Sequence, residues 1–379
     1  MSRSRYSRRL PAAVAALGSM LALAACGGGP ATEGVALSAA ANQLDLNADL
    51  SKQTPLSITI WDNYSPKDMP QRVKDRLGFD VKIVLHDTNE MAFARVTNTI
   101  GTPSDVDVAF VSGQYAQALN EQGWLEPIHP ELIPNLANLY PEASQLSFDK
   151  GNKFSVPYTW GTTGLCYRTD MVQTPPTSWN DLLNPAPELR GKVTMMTTER
   201  WLALPALKAL GYSINTTDDK QLAQAKEVLL RTKKSLLAYD DTTFTERLEK
   251  GEAAMVESFD RRCPTQNPKI KFVVPKEGSD LWADTMVVMK SSKKKEAAHA
   301  FINYLLDPAV QSWVAENILT KVPNKAAMDL IARNDPELIA KNLPLQMTPA
   351  ELLQGETIND VGDAASKYSR LATEMTVHQ

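Results

Sequence analysis

The chain has 379 residues, 43% of them hydrophobic and 22% charged, with a formal net charge of −4. A mildly acidic chain is a poor partner for nucleic acid and has no charge with which to hold an anionic lipid surface, whereas it is compatible with cationic ligands. His86, His129, His299 and His378 show no ligand spacing, so neither a metal nor a cofactor is expected.

Residues 1–25 read as an export signal. Arg3, Arg5, Arg8 and Arg9 form a positive start, an apolar run follows from Pro11 to Ala22, and Leu23-Ala24-Ala25-Cys26 closes it. The run is too short for a permanent membrane span. The Leu-Ala-Ala-Cys ending resembles the bacterial lipobox, which implies cleavage before Cys26 and a thioether-linked lipid on it. The product would be an exported, membrane-anchored lipoprotein of the cell envelope, facing the periplasm or the cell exterior. From Cys26 to residue 53 the Gly-rich, then Ala-, Asn-, Asp- and Ser-rich composition reads as a flexible tether. Losing four arginines and no acid takes the charge from −4 to −8. About 325 residues remain, more than one ordinary core accommodates, so two domains are expected.

The body opens with an α/β pattern. Leu56, Ile58 and Ile60 alternate into a strand ending at Trp61, a short helix carries Val73 and Leu77, and Phe79, Val81, Ile83 and Leu85 make a second strand. A helix from about Asn89 to Ile100 leads to a third strand with Val106, Val108 and Phe110. A further helix, Tyr115 to Gln122, stops at Gly123. This order implies a largely parallel sheet with helices on both faces. Ligands of such sheets bind beyond the strand carboxyl ends. Trp61, Asp62 and Tyr64 after the first strand, and Ser112, Gln114 and Tyr115 after the third, therefore become site candidates, although each also reads as an ordinary loop residue.

From Ser155 to Arg168 an extended segment, broken at Gly161, is suited to run from one sheet into another. The alternation of strands and helices then restarts, with helices near Trp179 to Leu183, Arg200 to Leu210 and Asp218 to Arg231. Strands are expected at Lys192 to Met196, Leu236 to Tyr239 and Ala253 to Phe259. After the turn at Lys276-Glu277-Gly278 come Trp282 and Asp284, two residues apart and so on one face of an extended chain. A Trp face and a carboxylate together suit an ammonium group. A core tryptophan beside a solvated aspartate fits the same spacing.

Six segments in order resemble one family. They are Val156-Pro157-Tyr158-Thr159-Trp160-Gly161, Thr177-Ser178-Trp179-Asn180-Asp181-Leu182, Leu210 to Asp218, Pro275-Lys276-Glu277-Gly278, Val322-Pro323-Asn324 and Asn359-Asp360-Val361-Gly362. The family is that of the extracellular solute-binding proteins of ABC importers, in its polyamine (spermidine and putrescine) branch. The resemblance implies a type II periplasmic-binding-protein fold with a ligand cleft between two lobes, 54–159 with 285–356 and 160–284 with 357–379. It also implies a monomer that binds rather than catalyses and that delivers its solute to a membrane permease.

By the same resemblance Trp61 and Tyr64 keep aromatic walls, Ser112 a polar contact, and Trp282 and Asp284 the amine grip. Phe259 stands where the family has Trp. Thr198 and Trp201 stand where the second lobe normally offers carboxylates, and Thr320 and Ile358 replace two further contacts. Glu199, Asp62, Asp240 and Asp241 are candidates to restore negative charge. The solute alternatives are a polyamine, another cationic, zwitterionic or amino-acid-like amine, and an unrelated solute such as a sugar.

Two other function classes remain open in the sequence. Cys166 allows a two-lobed transferase with a thiol nucleophile, provided that the fold supplies a base, and a sensor that hands its closed form to a receptor would use the same cleft. With Cys26 taken by lipid, Cys166 and Cys263 are an even remainder in an oxidising compartment, and a disulfide between them is expected. Two buried free thiols are the alternative.

Overall fold

The β-strand formed by Leu56–Trp61, β1, has Leu56, Ile58 and Ile60 fully buried, as the alternation requires. Ser57 and Thr59 between them are buried as well. Their polar atoms are paired instead of solvated: the Ser57 N–H donates to Asp107 at 2.7 Å and the Thr59 hydroxyl to the Val84 carbonyl at 2.9 Å. The computed structural model describes residues 44–102 and 105–377. The export signal, Cys26 and the tether as far as residue 43 lie outside the described residues.

In chain order there follow α1 (Met69–Leu77), β2 (Val81–His86), α2 (Asn89–Thr99), β3 (Val108–Ser112), α3 (Gly113–Glu121), β4 (Val156–Gly161) and β5 (Thr163–Arg168). Next come α4 (Trp179–Leu183), β6 (Val193–Met195), α5 (Glu199–Ala209), α6 (Asp219–Lys233), β7 (Ala238–Tyr239), α7 (Phe244–Lys250), β8 (Met255–Phe259), β9 (Ile270–Val273) and β10 (Asp280–Val288). The chain closes with α8 (Lys295–Leu305), α9 (Pro308–Ile318), α10 (Lys325–Asn334), α11 (Pro336–Lys341), α12 (Leu343–Gln346), α13 (Pro349–Leu352), β11 (Glu356–Thr357) and α14 (Ala365–Thr376).

These strands make two sheets. The first runs β11-β10-β3-β1-β2, with β4 also paired to β10, and the second runs β7-β6-β8-β5-β9. β1 is parallel to β2 and β3, and β6 to β7 and β8, as the alternating pattern demands. The strands that follow a crossing, β5 and β10, add antiparallel pairs, so both sheets are mixed. Helices cover the two faces of the first sheet. Val108 and Phe110 pack with Phe301 and Ile302 of α8, while Ala109 and Val111 pack with Ala92 of α2 and Ala116 of α3. The second sheet buries Leu165, Val193 and Met255 against α4, α5, α6 and α14.

Three crossings join the sheets, and the Asp280 carboxylate ties the first of them to the second. Asp280 accepts the Thr163 N–H at 2.8 Å and the Thr163 hydroxyl at 3.1 Å, while its backbone carbonyl accepts the Thr162 hydroxyl at 2.7 Å. The third crossing joins through the Glu356 N–H, which donates to the Ser279 carbonyl at 2.9 Å. Gly161 is required at the bend because a Cβ there would collide with the Trp282 ring and the Asp260 carboxylate. One expected boundary moves: Asp280 to Asp284, read with the second lobe, hydrogen-bond into the first sheet, opposite β11, β3 and β4. The stretch reads as extended in the sequence, but its side chains do not tell which sheet its backbone ladder joins.

Cys166 on β5 and Cys263, just beyond the short turn Asp260–Arg262, lie with Cα atoms 5.7 Å apart and their sulfurs bonded. Phe244, Leu248 and Val256 bury the pair. His129 and His299 meet behind the first sheet, rings 5.2 Å apart, where the His129 N–H donates to His299 Nε2 at 3.3 Å.

Candidate ligand-binding cleft

The carboxyl ends of β1, β2, β3, β6, β7 and β8 open onto one cavity of about 830 Å³, within the range of small-molecule sites. Of the residues expected from the sequence to contact a solute or to supply charge, all but Asp240 line it. Trp61, Asp62 and Tyr64 follow β1, Ser112 ends β3, Gln114 begins α3, and Trp282 and Asp284 project from β10; together these form a first wall. Opposite, Thr198, Glu199 and Trp201 stand where β6 gives way to α5, Asp241 follows β7, and Phe259 ends β8. Asp240 does not line the cavity. Its carboxylate caps the next turn, accepting from the N–H groups of Thr242 and Thr243, and pairs with Arg247 at 2.9 Å.

Asp284 is the most prepared group in the cleft. It faces Ser112 on β3 and Thr159 on β4 in the sheet register. Its Oδ1 accepts the Ser112 hydroxyl and its Oδ2 the Tyr64 hydroxyl, each at 2.6 Å. Ser112 is held in turn by Asn89, whose Nδ2 donates to the Ser112 Oγ at 3.0 Å and whose Oδ1 accepts the Ser112 N–H at 2.9 Å. Burial raises the Asp284 carboxyl above its ordinary value, while the two hydroxyl donors and the positive charge of Arg261 pull it back down. A carboxylate fixed by two donors yet still lining the cavity retains acceptor capacity for an ammonium group.

Aromatic rings frame this charge. Trp61 meets Tyr64 edge-on at 5.3 Å and His86 at 4.6 Å between ring centroids. Across the cleft Phe259 bridges Trp201 at 5.3 Å and Trp282 at 6.2 Å. Trp201 is fixed by its own indole N–H, which donates to Asp280 at 2.8 Å and so ties the second wall to the crossings. Faces of this kind attract cations.

The second wall carries charge of both signs. Asp241 accepts the Thr197 N–H at 2.9 Å, and burial raises its carboxyl. Glu199, half-buried, makes no hydrogen bond or ion pair among the described residues. Behind them Glu257 is buried completely and pushed well up by that burial, with Oε2 accepting the Met196 N–H at 3.0 Å and Oε1 unpartnered. Three arginines also line the cavity: Arg200, Arg261 and Arg262. Arg200 donates to the carbonyls of Ile214 and Asn359 and lies over Tyr368, while Arg262 donates to those of Asp241 and Thr242 and lies over Phe244.

Sequence reasoning passed over these arginines and the run His86 to Glu90. Arg200 follows the carboxyl end of β6, Arg261 and Arg262 that of β8, and His86 to Glu90 that of β2, so the rule that selected Trp61 and Ser112 would have found them had it been applied to every strand. Of the two positions expected to have lost contacts, Ile358 lies in the core of the second sheet, and Thr320 lies behind the cavity, where its Oγ accepts Arg261 Nε at 3.1 Å.

The chain is similar to known proteins in sequence and in fold. The spermidine/putrescine-binding periplasmic protein of Salmonella typhimurium is 31% identical over 325 residues, which is 85% of this chain and 91% of that one. Its counterpart in Escherichia coli K12 is 30% identical over 312 residues, 81% and 87% of the two chains. Among solved structures, a putative spermidine/putrescine ABC transporter from Listeria monocytogenes superposes with a TM-score of 0.76 at 27% identity, covering 86% of this chain and 99% of that one. The model of one family, bacterial extracellular solute-binding protein, matches residues 72–340. With two sheets around a single cleft and relatives matched along most of their length, this chain belongs to the bacterial extracellular solute-binding proteins.

Proposed function

We propose that the chain is the solute-capturing component of an ABC importer and takes up a small organic cation of the polyamine kind, which it passes to a membrane permease. The observation that carries this reading is Asp284, a carboxylate oriented by two hydroxyls in a frame of aromatic rings. The cavity supports it. Asp62, Asp87, Glu90, Glu199, Asp241, Asp284 and Asp360 line it against three arginines, an acidic balance that favours a cation. The relatives named for spermidine and putrescine point the same way.

In this reading the first lobe comprises residues 54–161 with β10 and the helices that follow it, and the second comprises 162–279 with α14. The cleft closes around the solute and leaves it chemically unchanged, a reading supported by Cys166, the thiol that a transferase of this kind would use, being buried and bonded to Cys263. The protein works as a monomer tethered through a lipid on Cys26. Metabolic labelling with a fatty acid should tag the wild type and leave Cys26→Ser untagged, and an untagged, signal-cleaved wild type would remove the anchor.

The cationic reading is tested by calorimetry with spermidine, putrescine, amino acids and neutral sugars. Polyamine binding that weakens about tenfold or more in Asp284→Asn, the worth of a charge-assisted contact of about 1.5–3 kcal/mol, supports it. Binding of neutral sugars alone would sink it.

A further inference from the structure

We propose that Arg261 gives the cleft a further solute class beside polyamines, short amines that carry a carboxylate at the end opposite the ammonium group. This rests on the Asp284 ammonium site proposed above. Arg261 stands in the short turn after β8, on the second wall, and its guanidinium lies over the ring of Tyr64 on the first wall, 4.8 Å from the centroid. The same tyrosine donates its hydroxyl to Asp284 at 2.6 Å. A cation and a carboxylate thus flank a single aromatic ring, both lining the cavity.

What distinguishes Arg261 from its neighbours is its unused donors. Arg200 and Arg262 spend theirs on backbone carbonyls. Arg261 donates through Nε to Thr320 at 3.1 Å, and among the described residues its two terminal amino groups have no hydrogen-bonding or ion-pairing partner. Its charge is felt by Asp284 and Asp260, yet it forms no ion pair with either. A planar fork of free N–H donors at the edge of a cavity matches a carboxylate in two parallel hydrogen bonds.

The far end of an unsubstituted diamine meets the opposite situation. Its second ammonium would face the guanidinium in a partly desolvated cleft, where like charges repel more strongly than in water. A zwitterion settles both charges at once, with its ammonium on Asp284 and its carboxylate on Arg261, the two groups that flank the Tyr64 ring. Among solutes whose far end reaches only Arg261 the favoured one is therefore a short ω-amino acid, related to a diamine by exchange of one terminal aminomethyl group for a carboxylate, while a longer polyamine can carry its second ammonium on to the other carboxylates of the cavity.

The test uses matched pairs of equal carbon number on the signal-cleaved chain: 3-aminopropanoate with propane-1,3-diamine, 4-aminobutanoate with butane-1,4-diamine, and 5-aminopentanoate with pentane-1,5-diamine. In at least one pair the amino acid should bind about tenfold more tightly or better, the worth of a charge-assisted contact. Arg261→Gln should invert that order, and Arg261→Lys, which keeps the charge but loses the fork, should leave a smaller preference. Tighter binding of the diamine in every wild-type pair overturns the proposal, as does an Arg261→Gln effect equal for both members of a pair. The wild-type ranking needs no variant, so a poorly folding substitution leaves the proposal open to refutation. Diamine preference that Asp284→Asn abolishes would leave the ammonium site standing without this refinement, whereas no binding by either series or by spermidine would remove both.

Discussion

On the first wall Asp284 receives two side-chain hydroxyls, one of them braced by Asn89, whereas on the second wall Asp241 leans on backbone N–H groups and Glu199 on nothing. The strands behind them differ in the same sense. β10 spans nine residues and is paired on both sides, while β6 spans three and β7 two. A long paired strand fixes side-chain direction residue by residue. Short strands release the chain into loops and helix starts, where polar groups are placed by local turns. The first wall is thus preset for one charge. The second is assembled from turns around a buried acidic floor, and it is the wall where Arg261 enters.

If that contrast is real, the second wall should depend more heavily on covalent reinforcement, and here the largest effect is expected. The Cys166–Cys263 bond joins positions 97 apart in sequence and pins the turn that carries Arg261 and Arg262 to β5. Removing a bridge over a loop of that length costs about 2–5 kcal/mol. The double variant Cys166→Ser, Cys263→Ser should lose that much stability in denaturant titrations, and a mature domain made without Cys26 should show no reactive thiol after denaturation without reductant. Two reactive thiols per chain would break the comparison, because the second wall would then stand without its staple.

The contrast also marks where the sequence was legible. Leu56–Trp61 and Trp179–Leu183 were found at their true limits because apolar spacing and a capping serine delimit them. Trp282 and Asp284 were paired correctly, since the period of a strand sets their common face. The first half of β10 was read as extended but placed with the second lobe, because nothing in Asp280 to Asp284 tells which sheet they join until their partners on β3, β4 and β11 are known. Nothing local in the sequence announces that the fold buries Asp260, Glu257 and Asp280. Arg261 falls in a turn without periodicity, so its approach to Tyr64, 197 positions earlier in the numbering, is a product of the closed chain fold and not of any local pattern.

A middle-sized effect sharpens the first half of the comparison. Tyr64→Phe keeps the ring that faces Arg261 and Trp61 but removes the hydroxyl that orients Asp284. With one donor fewer, the carboxyl is raised further by its burial and its orientation loosens. Ammonium binding should weaken about three- to tenfold, near 1 kcal/mol, in keeping with a single hydrogen bond, while binding at the second wall measured through Arg261→Gln stays as it was. An unchanged affinity for cations in Tyr64→Phe would mean that Asp284 is not held ready by its hydroxyl donors.

The last effect concerns pH, to which the buried acids and the buried histidines should respond with opposite signs. Behind the second wall burial pushes Asp260 up to about 7 and Glu257 well above its usual range. The folded chain therefore holds protons there at pH values where the unfolded chain, with ordinary carboxylates near 4, has released them. Stability falls with rising pH wherever the folded state binds more protons, so this wall gains stability as pH is lowered from about 8 through the Asp260 value. Lys321, pushed down by burial to about 8, titrates at the upper edge of that range. His86 on the first wall behaves in reverse. Burial lowers it to about 4, so between its ordinary 6.5 and that value the unfolded chain takes up a proton that the folded chain refuses, and stability is lost on acidification; His299, also lowered by burial, adds to the loss. The melting temperature should rise as pH falls from about 8 to about 6.5, and between about 6.5 and 4 the gain from the buried acids and the loss from the histidines oppose each other, each worth about 1.4 kcal/mol per pH unit for each proton. Asp260→Asn should remove part of the gain everywhere below about pH 7, whereas His86→Gln should raise the curve below about pH 6.5 alone, and an effect of His86→Gln above pH 7 would show that this histidine is not the group that opposes the acids.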